Sequence, residues 1–196
     1  MTSLLIATRN SHKTEEIAAI LGDSFQVDDL SALPDAPVVE ETGKDFLENS
    51  SLKAVAISQI SPSIVLADDS GLEVDSLRGA PGVYSARYAG EGSDDATNNR
   101  KLLSELAGAV GTDRTARFRC VMVLALSGKV LAHFEGTVEG RILAAPRGSA
   151  GFGYDPLFVP DGDDRSFAEL GPEVKNGMSH RARAVEKVVE WLRQNG

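Results

Sequence analysis

The chain has almost no cysteine, little aromatic surface and no long apolar run, and each shortage closes off a class of protein. Cys120 is the only cysteine in 196 residues. That excludes an intramolecular disulfide and a cysteine-built zinc cluster, and it fits a reducing, cytoplasmic compartment. Trp191 is the only tryptophan and aromatics make up 6% of the chain, whereas a sugar-binding platform would want more than one tryptophan. No apolar run approaches the ~20 residues a membrane-spanning helix needs. The apolar start, Met1 to Ala7, is too short for a signal segment and gives way to Thr8-Arg9-Asn10, so neither membrane anchor nor export signal is expected. Positive charge is also scarce: 20 Lys and Arg face 29 Asp and Glu, for a net charge of −9. Broad nucleic-acid or membrane-surface binding requires a basic field and is not expected. The same acidity repels a polyanionic small molecule, which could be held only by local lysines and arginines and a metal ion. No G-x-x-x-x-G-K-[ST] phosphate loop occurs. Ser50-Ser51-Leu52-Lys53 matches the acyl-transfer pattern S-x-x-K, but neither S-D-N nor K-T-G completes it.

What is present is ordinary globular chain, 42% apolar and 25% charged, long enough for one sizeable core or two small lobes around a shared sheet. We read residues 1–196 as a single domain without a linker. A strand is expected over Leu4 to Thr8 and a helix over Lys13 to Leu21, with Ile17, Ile20 and Leu21 on its apolar face and Gly22 ending it. A short strand near Phe25 to Val27, a Pro- and acid-rich loop from Ser31 to Gly43 and a helix from Asp45 to Ile60 follow. Ile64 to Ala67 reads as a strand, with extended chain from Leu72 to Leu77, and Gly79 to Gly92 as a loop or broken turn. Asp94 to Leu106 is helical. Ala116 to Leu126 is a strand, with Lys129 to Phe134 and Thr137 to Leu143 as its antiparallel neighbours. Gly148 to Asp155 is glycine-rich, Leu157 to Val159 is a short strand, and a last helix spans Ser179 to Gln194. A βαβ start, then antiparallel strands, then a terminal helix give an α/β fold. It would be a mixed sheet flanked by helices, in two lobes with a cleft between them.

The most informative stretch is Leu66-Ala67-Asp68-Asp69-Ser70-Gly71. A buried strand ending in Asp-Asp puts acid at the edge of a sheet, where ligands of α/β proteins usually sit. Adjacent carboxylates repel unless a cation or proton neutralises them. Oxygen donors of this kind suit Mg²⁺, which binds through one or two carboxylates plus substrate phosphates. We read the site as holding Mg²⁺ and a triphosphate, with a carboxylate free to orient or deprotonate water. An acidic turn closing a strand is the plain alternative, and glycoside hydrolysis by a carboxylate pair is a third.

Four further clusters carry polar chemistry. Thr8-Arg9-Asn10-Ser11-His12-Lys13 precedes a helix, whose free N–H groups and dipole form a phosphate seat, unless Asn10 or Ser11 simply caps it. Asn49 and Lys53 share a helix face below the acidic loop Glu40-Glu41-Thr42-Gly43, though a solvated helix face would look the same. Gly151-Phe152-Gly153-Tyr154-Asp155-Pro156 lets backbone approach a flat ligand and offers Phe152 for stacking, or else is a turn with two aromatics in the core. Lys175-Asn176 and Ser179-His180-Arg181 set cations at a helix start, where they oppose the dipole unless an anion or carbonyl oxygen uses them.

Taken together, these segments resemble the inosine/xanthosine triphosphate pyrophosphatases, the Ham1-like family of non-canonical purine NTP pyrophosphatases. The matching pieces are Ala7-Thr8-x-Asn10-x-x-Lys13, Glu41-Thr42-Gly43 with Asn49 and Lys53, and Ala67-Asp68-Asp69-Ser70-Gly71-Leu72. They continue with Gly79-Ala80-Pro81-Gly82-Val83-Tyr84-Ser85-Ala86-Arg87-Tyr88, Gly151-Phe152-Gly153-Tyr154-Asp155-Pro156 and Ser179-His180-Arg181. They span nearly the whole chain in the family's order. The resemblance implies an elongated α/β fold with a long mixed sheet and an active-site cleft between its lobes, and hydrolysis of ITP, dITP or XTP to the monophosphate and pyrophosphate, with Mg²⁺ as cofactor, in a cytoplasmic homodimer. It implies Asp69 as general base and metal ligand, Glu41 as a second metal ligand with Glu40 the alternative, and Asp68 as support. Thr8, Asn10, Lys13 and Lys53 would hold the triphosphate, and Ser70 would contact the nucleotide. Phe152, Gly153, Tyr154, Asp155, Lys175, His180 and Arg181 would form the base pocket. Arg9 stands where many relatives carry glycine. The competing classes are a Maf-like pyrophosphatase of other base specificity and a non-catalytic nucleotide sensor. The first is disfavoured by the full Ser-His-Arg and Gly-Phe-Gly-Tyr-Asp set, the second by the intact acids.

Overall fold

A computed structural model describes residues 2–195. The strands are β1 (Thr2–Ile6), β2 (Phe25–Asp29), β3 (Ile64–Val74), β4 (Thr115–Leu126), β5 (Lys129–Ile142) and β6 (Phe158–Pro160). The helices are α1 (Ser11–Leu21), α2 (Phe46–Ser58), α3 (Asp95–Glu105), α4 (Phe167–Asn176) and α5 (His180–Asn195). The sheet runs in the order β2-β1-β3-β4-β5-β6. It is mixed, as expected: β1 lies parallel to both β2 and β3, while β5 and β6 are antiparallel. Among the described residues no helix is long and apolar enough to cross a membrane.

The helices begin where the sequence supplies an acceptor for their free N–H groups. Asn10 caps α1, Asp45 caps α2 and Asp94 caps α3. Gly22, in the left-handed region at φ 65°, ends α1. In β1 and the start of β3, Leu4, Leu5, Ile6, Val65, Leu66 and Ala67 are apolar and buried on both faces of the sheet.

The chain forms two compact units, each drawn from separate segments. The first comprises Met1–Asp69, Cys120–Gly136 and Arg181–Gly196; the second comprises Ser70–Arg119 and Thr137–His180. In the first unit, Leu4, Ile6, Leu66, Cys120, Met122 and Leu124 pack against α1 and α5 through Ile17, Val185 and Val188. The alternate residues Leu5, Ala7, Val65, Ala67, Val123 and Ala125 meet α2 through Ala54 and Ile57. In the second unit the core gathers Leu72, Val74, Leu102, Phe118, Val138, Tyr154, Phe158 and Phe167.

Three expectations are corrected. β3 does not end at Asp68-Asp69 but runs through them to Val74, because the acids are met by cations and need not break out into a turn. The two strands expected over Lys129 to Leu143 are one; Glu135-Gly136 interrupts the apolar pattern without interrupting the backbone. The stretch before the last helix holds a helix of its own, α4, opened by a capping box in which Ser166 and Glu169 satisfy each other's backbone N–H groups. Gly79 to Gly92, expected as loop or turn, includes a 3-10 turn at Gly82–Arg87.

Candidate active site

In the first unit the turn after β1 is built by its own side chains. Asn10 Oδ1 accepts from the His12 and Lys13 N–H groups, and the Asn10 N–H donates to Thr8 Oγ1 at 3.1 Å. Thr8 and Asn10 therefore shape the N-terminus of α1 and leave Lys13 on its first turn. Arg9 turns away and donates to the Ala36 carbonyl at 2.7 Å, which ties the Pro-rich loop to this turn.

Asp68 sits at the bottom of the cluster, 2% exposed. Its carboxylate pairs with the Lys13 ammonium and, at 3.4 Å, with Arg181, while the Cys120 thiol donates to it at 3.2 Å. Arg181 is itself buried and pairs on its other side with Glu16. Burial alone would raise the Asp68 pKa, but Lys13, Arg181 and Lys53 hold it well below the usual carboxylate range. This acid is permanently charged and already neutralised.

Asp69 is in a different position. Asn49, fully buried on α2, donates to its Oδ2 at 3.0 Å, and Lys53 Nζ lies 3.8 Å from its Oδ1. Lys53 Nζ is closer to Glu41 Oε1, at 2.6 Å, and to the Asp68 carbonyl, at 2.7 Å. Burial pushes the Asp69 pKa up; Lys53 and Lys13 pull it down, Glu41 pushes it up again, and it settles at about 6. Burial disfavours the Lys53 ammonium, yet Asp69, Glu41 and Asp68 outweigh that and raise its pKa.

The same Asn49 accepts the Gly43 N–H on its Oδ1 at 2.8 Å, so one amide fixes both Asp69 and the Glu41-Thr42-Gly43 segment. A methyl group on Gly43 would lie 2.6 Å from that oxygen and 2.8 Å from the Asn49 backbone nitrogen; only glycine fits. Thr8, Asn10, Lys13, Glu41, Lys53, Asp68 and Asp69, distant in sequence, are thus gathered in one unit.

In the second unit the glycine-rich turn forms its own cluster. Asp155 Oδ2 accepts from Lys175 Nζ at 2.6 Å and from the Phe152 N–H at 3.0 Å, and the ammonium lies 4.8 Å from the centre of the Phe152 ring. Tyr154 points inward: it is 4% exposed and its hydroxyl donates to the Ser85 carbonyl at 2.8 Å. His180 is buried and stacks on Phe118, with ring centres 4.8 Å apart. Ser70 continues β3 half-buried. Phe152, Asp155 and Lys175 share this cluster, whereas Arg181, expected with them, meets Asp68 and Glu16 in the first unit.

The residues that motif reading passed over are Glu16 and Cys120. Asn49 it placed in a motif without a role. Their signal lies in three dimensions: each is a partner of an acid or cation picked out for itself, and nothing local marks Glu16 on a helix whose pattern shows only the apolar face of Ile17, Ile20 and Leu21.

A mixed α/β sheet that carries buried, cation-paired carboxylates beside a capped helix N-terminus defines an α/β protein with a buried charged site. The comparisons specify it further. Residues 4–191 match the model of the Ham1 family, and the chain belongs to that family. It is 50% identical to the dITP/XTP pyrophosphatase of Geobacillus kaustophilus over 97% of this chain and 94% of that one. It is 50% identical to the protein of the same name from Geobacter sulfurreducens, over 100% and 99%. Among solved structures it is similar to the Staphylococcus aureus Ham1 protein, with a TM-score of 0.88 and 39% identity over 100% of both chains. A Coxiella burnetii HAM1 protein gives 0.89 and 38% over 99% and 100%.

Proposed function

We propose that this chain is a nucleoside-triphosphate pyrophosphohydrolase that takes ITP, dITP and XTP to the monophosphate and pyrophosphate with the help of Mg²⁺, and so clears aberrant purines from the nucleotide pool. The observation that carries the reading is the contrast between the two aspartates: one locked in charge by two cations, the other poised at about 6 beside Glu41 and Lys53. Full-length likeness to relatives bearing the name dITP/XTP pyrophosphatase supports the reaction class.

The donor set fits a hard divalent cation. Asp69 and Glu41 both reach one ammonium, Lys53 Nζ, so two carboxylates and the Asp68 carbonyl converge on a small volume. Mg²⁺ is bound through one or two carboxylates with substrate phosphates completing its shell. Asp69 and Glu41 would hold it; Asp68, already paired, supports them through Lys13. When bound, Mg²⁺ supplies charge neutralisation on the phosphate oxygens and on the departing pyrophosphate.

The chain's own groups do the rest. Lys13 and Lys53, with Thr8, Asn10 and the N–H groups opening α1, bind the triphosphate and offset the net charge of −9. Asp69 takes a proton from the water that attacks the α-phosphorus. A carboxylate raised by about two pKa units is roughly a hundredfold stronger base than an ordinary one yet still ionised at neutral pH. Phe152, Asp155, Lys175 and His180, with the backbone of Gly153 and Tyr154, take the base, and Ser70 contacts the nucleotide. Arg181 fixes Asp68. The same reading includes a cytoplasmic homodimer.

Pyrophosphate release measured with Mg²⁺ across ITP, dITP, XTP, GTP, ATP, TTP and UTP tests it. Turnover of ITP and XTP well above GTP and ATP is expected. Binding without turnover would make the chain a sensor, and preference for TTP or UTP would make it Maf-like.

A further inference from the structure

Helix α3 carries no residue of the site described above, yet it holds the turn that contains Phe152. Gly153 lies in the left-handed region at φ 61°, between Phe152 and Tyr154, and its peptide groups are gripped from both ends. The Gly153 N–H donates to Asp95 Oδ2 at 2.6 Å, and the Gly153 carbonyl accepts from Asn99 Nδ2 at 3.0 Å. Asp95 and Asn99 stand one helical turn apart on the same face of α3, so a single rigid element fixes both the donor and the acceptor of one residue. The next residue along α3's first turns, Asn98, anchors the neighbouring 3-10 segment instead, donating to the Ala86 carbonyl and accepting from the Ala89 N–H. A methyl group on Gly153 would meet no atom within 4 Å. The turn is therefore open at that point and not held by packing there; Asp155 holds the Phe152 N–H, and the Asp95 and Asn99 bonds hold the Gly153 N–H and carbonyl. The Gly148 side of the loop is tied to the Ala168 carbonyl through Ala150 at 3.3 Å, which leaves the peptide groups of Gly153 as the part of the turn that depends on α3.

We infer that Asp95 and Asn99 are positioning residues for base recognition: they set the Phe152-Gly153 backbone, and through it the ring and peptide groups that meet the purine. The inference deepens the proposed reading and rests on it. A turn freed from either bond samples several placements, so discrimination between bases falls while the phosphate and water chemistry, held by other residues, continues.

The test is steady-state pyrophosphate release from ITP and from GTP by the full chain and by Asp95→Ala, Asp95→Asn and Asn99→Leu. Asp95→Ala and Asn99→Leu are expected to lower the ITP-to-GTP ratio of kcat/KM about tenfold and to raise KM for ITP, with kcat for ITP within about threefold of the parent. Asp95→Asn keeps an acceptor oxygen and is expected to restore the ratio. The ratio does not depend on the fraction of folded enzyme, so a purely structural role would leave it unmoved. Two variants on opposite ends of Gly153 keep the test intact if one folds poorly. A parent that turns over ITP while both variants keep its ratio within twofold would overturn the inference alone. A parent that does not hydrolyse ITP would overturn the proposed function and the inference with it.

Discussion

Successive side chains of an extended strand leave on opposite sides, so Asp68 and Asp69, adjacent in β3, meet different partners. Asp68 faces Lys13, Arg181 and Cys120; Asp69 faces Asn49, Lys53 and Glu41. Their titrations diverge accordingly. With a folded pKa below its free value, Asp68 contributes stability at neutral pH that is lost only in strong acid. Asp69 has the opposite sign. Its folded pKa of about 6 exceeds the free value of 3.8, so between those values the folded state holds the proton more tightly than the unfolded one. Unfolding free energy therefore falls as pH rises through that window, and the deficit is complete above it. Asp69→Asn removes the deficit. In EDTA the variant should be more stable than the parent at pH 7.5 by roughly 1–3 kcal/mol, with the difference narrowing at pH 5 and closing near pH 4. The same variant should lose turnover of ITP by about 10²–10⁴-fold while still binding it. Urea titrations at the three pH values and a binding isotherm check both halves; equal stability at every pH, or near-normal turnover, would remove Asp69 from the role assigned. The residue types were legible from sequence at this scale, since paired acids after an apolar run demand cations. Which cation serves which acid was not. Arg181 finds Asp68 and Glu16 across most of the chain's length, and no local pattern encodes that meeting.

At the scale of elements, α2 does the assembling. Its first turns place Asn49 between the Gly43 peptide and Asp69, its third turn delivers Lys53, and Ser50 donates to the Val121 carbonyl of β4 at 2.7 Å. The loop before it is held by contact: a methyl group on Gly43 would lie 2.7 Å from Glu48 Cβ as well as against Asn49. Gly43→Ala should therefore push the Glu41 segment off Lys53 and cut kcat/KM by about 10²-fold, the scale of a 1 Å misplacement near a reacting centre. Asn49→Ala should cost about 1–3 kcal/mol in stability, because it leaves the Gly43 N–H unpaired in a half-buried place. Lys53→Ala should raise KM and lower kcat together; unchanged kinetics would take it out of the phosphate site. Most elements were legible here because caps and apolar spacing agree, as at Asn10, Asp45 and Asp94. α4 was missed although Ser166-Phe167-Ala168-Glu169 spells its capping box. Gly171 and Pro172 inside it mask the helical pattern, and Gly171 is non-helical at φ 79°. For β3 the converse holds: paired charge suggests a strand end at Asp68-Asp69, yet tertiary partners neutralise it and the strand continues to Val74.

At the scale of the whole chain, an acidic protein has to bind an acidic substrate, and the structure shows how the conflict is localised. Lys13, Lys53 and Arg181 converge on Asp68, Asp69, Glu41 and Glu16 within one unit, so the chain's own cations offset most of the charge of these acids before any ligand arrives. On the proposed function, a divalent ion serves the reaction and not the fold. Stripping it with EDTA should abolish ITP turnover while leaving the thermal midpoint within about 3 °C, a shift that for a chain of this size corresponds to roughly 1 kcal/mol. Removing a cation that belongs to the fold should do the reverse. Arg181→Met fills the same apolar surroundings but strands Asp68 and Glu16, and breaking such a buried pair costs about 3–5 kcal/mol. Added Mg²⁺ should not recover that loss, because Arg181 is 1% exposed and its guanidinium pairs with the buried Asp68 and with Glu16. Melting curves of parent and Arg181→Met, each with EDTA and with Mg²⁺, separate the two kinds of charge. If the parent needed the metal to stay folded, or if Mg²⁺ restored the variant, the division between cations that build the fold and the cation that serves the chemistry would not hold.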